Sequence, residues 1–202
     1  MEENRNGFEK IITPLKLIII IIGILISTYL LITFVITRTI VDGNSMYPTL
    51  KNGDQLLVDK LTYKLKEPQR YDIIIFKQPY SRNGYYVKRI IGLPGEKVEI
   101  DDNGFIYING SIIKDIYGYQ KIEDAGMVRK SAGKYIIVPN DEYFVLGDNR
   151  NNSQDSRLLK IGTIHVSRII GKSNLRIYPF QRFGYIDIYF SRRTQEQLLN
   201  EK

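Results

Sequence analysis

Ser45 and Lys88 are the two side chains of this sequence whose types and settings fit nucleophilic chemistry. A serine hydroxyl is a weak nucleophile at neutral pH and needs a neighbouring base. The 202 residues hold one histidine, His165, and no cysteine. Thiolate chemistry, disulfides and thiolate metal sites are therefore excluded, and a two-histidine zinc site cannot form. One histidine still suffices for a Ser-His-Asp triad. His165 lies in Thr163-Ile164-His165-Val166-Ser167, however, where alternation sets it on the polar face of a strand, opposite Ile164 and Val166. A lysine held neutral is the other available base.

Ser45 follows Gly43-Asn44 and precedes Met46-Tyr47-Pro48. Pro48 fixes its own φ and biases Tyr47 toward extended geometry, so the serine leaves a strand end on a stiff turn. Gly43 lets a substrate backbone come close. The plainer reading, a serine that is only a turn residue, fits the same stretch. Lys88 shares a strand face with Tyr86 and Ile90, while Val87, Arg89 and Ile91 point the other way. An ammonium among such side chains is desolvated, which lowers its pKa. Moving a lysine from about 10.4 to near 7 costs roughly 4 to 5 kcal/mol, which burial can impose. Arg89 does not deprotonate and cannot serve. Lys97 sits beside Glu96 and near Glu99, which keep it charged. The plainer reading of Lys88 is a strand-edge lysine snorkelling to water.

A third segment, Gly147-Asp148-Asn149-Arg150-Asn151-Asn152-Ser153-Gln154-Asp155-Ser156-Arg157, is unusually dense in polar residues. Taken alone it reads as a surface loop of solvated charges. A hydroxyl in it would be a suitable donor to a neutral lysine, whereas a carboxylate too near Lys88 would raise its pKa. Asp155 is therefore expected to be neutralised by Arg157 rather than by Lys88.

Strands must position these groups. Gln55–Val58, Asp72–Phe76, Tyr85–Ile91, Lys97–Ile100, Phe105–Ile108, Tyr135–Val138 and Tyr143–Leu146 are short, β-branched and aromatic. Asn52-Gly53, Pro94-Gly95, Asn103-Gly104, Asn109-Gly110 and Pro139-Asn140 separate them as turn signals. A mostly antiparallel β domain is predicted, with a tight hairpin on each side of Phe105–Ile108. Residues 114–134 read as a surface excursion without chemistry.

Ahead of the strands, Leu17 to Ile36 carry no charge, and five consecutive isoleucines leave no polar face. At about 1.5 Å per helical residue, such a run spans the roughly 30 Å core of a bilayer. It exceeds the apolar core of a cleaved leader, and no pair of small residues follows it. A retained anchor is predicted. Arg5, Lys10 and Lys16 precede it, against Arg38 and Lys51 just after, a small margin under the positive-inside rule. Residues 1–37 are neutral overall, so the whole net charge of +7 lies beyond the anchor. That suits an anionic lipid surface. Nucleic acid is not expected, since no basic stripe, zinc spacing or recognition-helix pattern accompanies the charge.

With the apolar run, the segments Ser45-Met46-Tyr47-Pro48-Thr49, Tyr86 to Glu96 and Gly147 to Arg157 resemble, in order and spacing, the conserved boxes of type I signal peptidases. The resemblance covers nearly everything from the anchor to about residue 180. It implies a fold that is mostly β: one N-terminal transmembrane helix followed by an antiparallel, barrel-like catalytic domain. The organisation it implies is a short cytoplasmic tail at 1–16, the anchor at 17–36, an extracytoplasmic catalytic domain at 37–192 and a polar tail at 193–202. It implies removal of signal peptides after small residues, through an acyl-enzyme on Ser45 with Lys88 as base and no cofactor or metal. It further implies that Ser153 hydrogen-bonds and orients Lys88, that Asp155 and Arg157 form an ion pair nearby, and that Asp148 belongs to the same loop. Many such enzymes carry a serine two positions before the nucleophile as an oxyanion donor. Here Gly43 stands in its place, as in short Gram-positive-type members, leaving backbone N–H groups in the Gly43, Ser45, Met46 stretch, chiefly that of Ser45. Preprotein signal peptides and membrane lipid are the implied partners, with the export machinery as a further one. Two rival readings are a self-cleaving Ser-Lys protease and a catalytically silent membrane-anchored β module that binds exported chains.

Overall fold

The computed structural model describes residues 2–80, 84–130, 133 and 135–186. Helix α1 runs over Glu2–Phe34, and its stretch Pro14–Leu31 is long and apolar enough to cross a membrane, with none of it covered by protein. The predicted anchor extends to Ile36, but the helix ends at Phe34 and Ile36 already opens the first strand. The change falls where β-branched Ile36, Thr37, Thr39 and Ile40 favour extended backbone. Strands follow as β1 Ile36–Ile40, β2 Gln55–Asp59, β3 Ile73–Lys77, β4 Tyr85–Gly92, β5 Lys97–Ile100, β6 Ile106–Ile108, β7 Ser111–Ile112, β8 Tyr135–Ile137, β9 Glu142–Leu146, β10 Ile164–His165, β11 Ile169–Tyr178 and β12 Gly184–Tyr185.

All pairings are antiparallel. The larger sheet has the order β1-β2-β11-β3-β4-β9-β10, with β12 on β11, and the smaller has the order β7-β6-β5-β8. The predicted hairpins form at both Asn-Gly turns, joining β5 to β6 and β6 to β7. Asn109 and Gly110, at φ 51° and 81°, take the left-handed geometry that this dipeptide tolerates.

Strand β11 has no counterpart among the predicted strands, yet it lies between β2 and β3 in the larger sheet. Its polar residues find partners there: Lys172 pairs with Asp72 at 2.6 Å, the Ser173 hydroxyl donates to the Leu57 carbonyl at 2.9 Å, and Arg176 pairs with Asp54 at 2.9 Å. A Cβ at Gly171 would collide with the Asp59 carbonyl, so glycine is what lets β2 pass this closely.

Strand β4 separates the cores. Ile90 packs with Ile74, Phe76, Val145 and Ile164 on one face, with Tyr86 against that cluster. Ile91, on the other, joins Val98, Ile106, Phe144 and Leu146 between the two sheets, and Val87 packs on Met46, Leu50 and Leu56. Residues 114–134 are not the surface excursion expected. Ile122, Ala125 and Val128 are buried in the inter-sheet core, and an apolar residue every three positions is what a partly irregular segment needs to anchor itself there. The polar C-terminal tail lies outside the described residues.

Candidate active site

The chain leaves β1 and is pinned before it reaches Ser45: Val41 N–H donates to the Asp54 carbonyl at 2.8 Å, and Gly43 N–H to Asn52 Oδ1 at 2.8 Å. Gly43 has φ 97°, and nothing lies within 4 Å of where its Cβ would be. The backbone conformation, rather than crowding, therefore requires glycine, and a serine there would be strained. Because Asn52 takes the Gly43 N–H, that group is not free to bind an oxyanion. Met46 is buried in the core beneath Val87. Ser45 N–H has no acceptor among the described residues.

The 147–157 segment holds the Ser45 turn from behind. Asn149 N–H donates to the Ser45 carbonyl at 3.0 Å, and Asn149 Nδ2 to the Asn44 carbonyl at 3.1 Å. A Cβ at Gly147 would run into both the Ser45 carbonyl and the Ser153 hydroxyl, so the two segments meet across a glycine.

Lys88, paired with Ile74 across β3 and β4, is 2% exposed. Its Nζ lies 2.6 Å from Ser45 Oγ and donates to the Val87 carbonyl at 3.0 Å. The Tyr86 ring centroid is 5.1 Å away. Burial pulls the Lys88 amine down to about 8, against a smaller opposing pull from Asp155 and Asp148. The two carboxylates are engaged elsewhere. Arg157 Nε and Nη2 hold Asp155 at 2.8 and 2.9 Å, the pairing expected from sequence. Asp148 is wholly buried, gripped by Arg89 Nε and Nη2 at 2.9 and 2.8 Å and by the Thr49 hydroxyl at 2.5 Å.

Ser153 departs from what the resemblance implies. It lines the same cleft as Ser45 and Lys88, but its buried hydroxyl has no hydrogen-bond partner. The expected bond to Lys88 is absent because Nζ turns to Ser45 Oγ and the Val87 carbonyl. His165 is exposed, its Nδ1 2.8 Å from Ser167 Oγ, as its strand position suggested.

Several supporting residues escaped sequence reasoning. Arg89 crosses under Tyr117 at 3.6 Å and donates to the Tyr71 carbonyl at 2.8 Å. Arg150 donates to the Gly147 carbonyl at 2.9 Å and pairs with Asp115, tying residues 114–134 to the loop. The available signal was an arginine flanked by buried apolar residues in β4, which demands a carboxylate somewhere. The cleft beside the dyad has a volume of about 660 Å³ and reaches from Thr39 and Asp42 past Tyr85 to Gln154.

Comparison with known proteins bears on the family of the chain. The family described as "Signal peptidase, peptidase S26" matches residues 12–178. Signal peptidase I of Bacillus caldolyticus is 37% identical over 160 residues, covering 75% of this chain and 85% of that one. Signal peptidase I of Bacillus amyloliquefaciens is 41% identical over 150 residues, covering 73% and 76%. For Bacillus licheniformis the figures are 35% over 189 residues, 92% and 98%.

Proposed function

We propose, for a chain that belongs to the S26 signal peptidase family, that Ser45 is the nucleophile and Lys88 the base with which it cuts signal peptides from exported preproteins. The enzyme is a serine endopeptidase. The observation that carries the residue assignment is the 2.6 Å approach of a buried Lys88 amine to Ser45 Oγ.

In this reading the neutral Nζ takes the Ser45 proton as Oγ attacks the carbonyl of a small residue ending an Ala-x-Ala-like site. The resulting oxyanion is met by the Ser45 N–H. The Lys88 ammonium then protonates the departing amine of the mature protein, leaving the signal peptide as an ester on Ser45. Water, deprotonated by the same lysine, hydrolyses that ester and restores the serine. Arg89 and Arg157 restrain the negative field of Asp148 and Asp155, which would otherwise hold the proton on Lys88. Substrate lies extended in the cleft, its backbone beside the Asp42–Ser45 stretch.

Helix α1 is the membrane anchor in this proposal, with its N-terminus cytoplasmic and the β domain outside, supported by the slight excess of Arg5, Lys10 and Lys16 over Arg38 and Lys51. Membrane lipid and the export machinery are the proposed partners beside the preprotein. Acylation of Ser45 in the purified chain, beside preprotein cleavage by wild type, Ser45→Ala and Lys88→Ala, tests the assignment. A chain that neither acylates at Ser45 nor cuts preprotein would favour a silent binding module, and full activity in either variant would overturn the dyad.

A further inference from the structure

A second groove of about 660 Å³ opens where α1 meets the larger sheet. Its upper wall is the last turn of the helix, Thr33 and Phe34, and its apolar floor includes Val58, Ile75 and Ile169. Four cations line it, Arg38, Lys60, Lys64 and Lys77, and no Asp or Glu does among the described residues. None of the four has a carboxylate within ion-pair distance among those residues. Lys60 Nζ donates to the Thr33 carbonyl at 2.8 Å, which fixes one cation at the helix end, while Arg38, Lys64 and Lys77 are exposed. Thr39 and Tyr85 border both this groove and the cleft holding Ser45.

Four like charges around an apolar floor repel one another unless an anion sits among them. The groove begins at the end of the apolar helix, so its mouth lies at the headgroup level of any bilayer that α1 crosses. An ion arriving there with apolar chains attached would satisfy both the cations and the exposed face of Phe34. We propose that this groove binds the phosphodiester headgroup of an anionic phospholipid and so registers the catalytic cleft against the membrane surface. The site rests on the membrane placement of α1 proposed above.

The test uses the full chain in vesicles of phosphatidylcholine with phosphatidylglycerol carrying a photoactivatable group near its headgroup. Labelled peptides are expected around residues 60–64 and 166–170. The triple variant Arg38→Gln, Lys64→Gln, Lys77→Gln is expected to lose labelling about tenfold. The variant Lys114→Gln, Lys121→Gln, Lys160→Gln, with the same change in net charge outside the groove, is expected to keep it. Cleavage of a short soluble peptide should be equal in both. Equal loss in the two variants would reduce the effect to diffuse attraction and overturn the site, as would undiminished labelling in the first. Labelling should withstand excess glycerol phosphate in solution; displacement would assign the groove to soluble phosphates instead. Protection of the groove only when preprotein is added would assign it to an acidic stretch of substrate. Flotation separates the two readings: a chain that fails to float with vesicles overturns the membrane anchor and the lipid site together, whereas one that floats with an unlabelled groove overturns the site alone.

Discussion

Lys88 and Arg89 are consecutive residues of one strand, both cationic by type and both buried, and the fold treats them in opposite ways. Arg89 receives a two-pronged carboxylate from Asp148, a carbonyl and an aromatic face. Lys88 receives a hydroxyl, one carbonyl and no carboxylate within ion-pair distance among the described residues. Strand alternation makes the contrast possible, since each residue looks into a different environment. A buried cation given its counter-ion is a strut. Denied it, the cation has the setting of the base proposed above, and the desolvation that would be a defect in a structural residue lowers its pKa toward the working range.

The contrast is broken most severely by exchanging chemistry at position 88. Lys88→Arg and Lys88→Met are each expected to reduce preprotein cleavage by on the order of 10³ to 10⁴-fold. Arg89→Lys and His165→Ala should retain turnover, and substantial activity in Lys88→Arg would remove the case for a neutral amine.

The next largest effect is on stability, and here the two neighbours should diverge in sign. Arg89→Met leaves Asp148 buried without its partner and is expected to cost about 3 to 5 kcal/mol in denaturant unfolding. Lys88→Met removes an unpaired buried amine and should stabilise the domain by about 1 to 3 kcal/mol at neutral pH. The native amine titrates near 8, below its ordinary 10.5. Between those values the unfolded chain binds the extra proton, so wild-type stability rises with pH across that window and the advantage of the methionine variant shrinks. Destabilisation of both variants alike would show that Lys88 is a structural cation after all.

A smaller effect concerns rate and pH. With the base titrating near 8, kcat/KM should fall about tenfold per unit below that point, as Lys88 gains its proton. A profile flat from pH 8 to pH 5 in a soluble-peptide assay would require another base. Smallest of all, Ser153→Ala should leave the melting temperature unchanged or slightly raised, because the hydroxyl it removes is buried without a partner. A loss of several degrees would mean that this hydroxyl is bonded in solution.

What could be read in the chain beforehand follows the same division. The approach of Ser45 and Lys88 was legible because both sit in short, chemically distinctive contexts, and the seven predicted strands because alternation and Asn-Gly turns are local signals. Strand β11 was not legible: Gly171, Lys172, Ser173 and Asn174 look like loop, and only Asp59, Asp72 and Leu57, a hundred or more residues earlier, explain why they sit in a sheet. The Arg89–Asp148 pair failed to show for the same reason, its partners being 59 residues apart. The fate of the Ser153 hydroxyl depends on where a single lysine amine points, a rotamer choice that sequence does not encode locally.

Only Val35 stands between the end of α1 and the start of β1, and Lys60 clasps the junction through its N–H to the Val35 carbonyl at 2.9 Å and its amine to Thr33. There is no swivel. If α1 spans the bilayer as proposed, the tilt of the helix is transmitted directly to the sheet, and β1, with five residues at about 3.3 Å each, acts as a measuring rod of roughly 17 Å between the bilayer and the nucleophile turn. Diffusion of such an enzyme is confined to a plane, and its search for substrate is a two-dimensional scan at one fixed altitude. Selection by depth then precedes selection by sequence: a perfect cleavage motif carried too high or too low above the lipid passes by uncut.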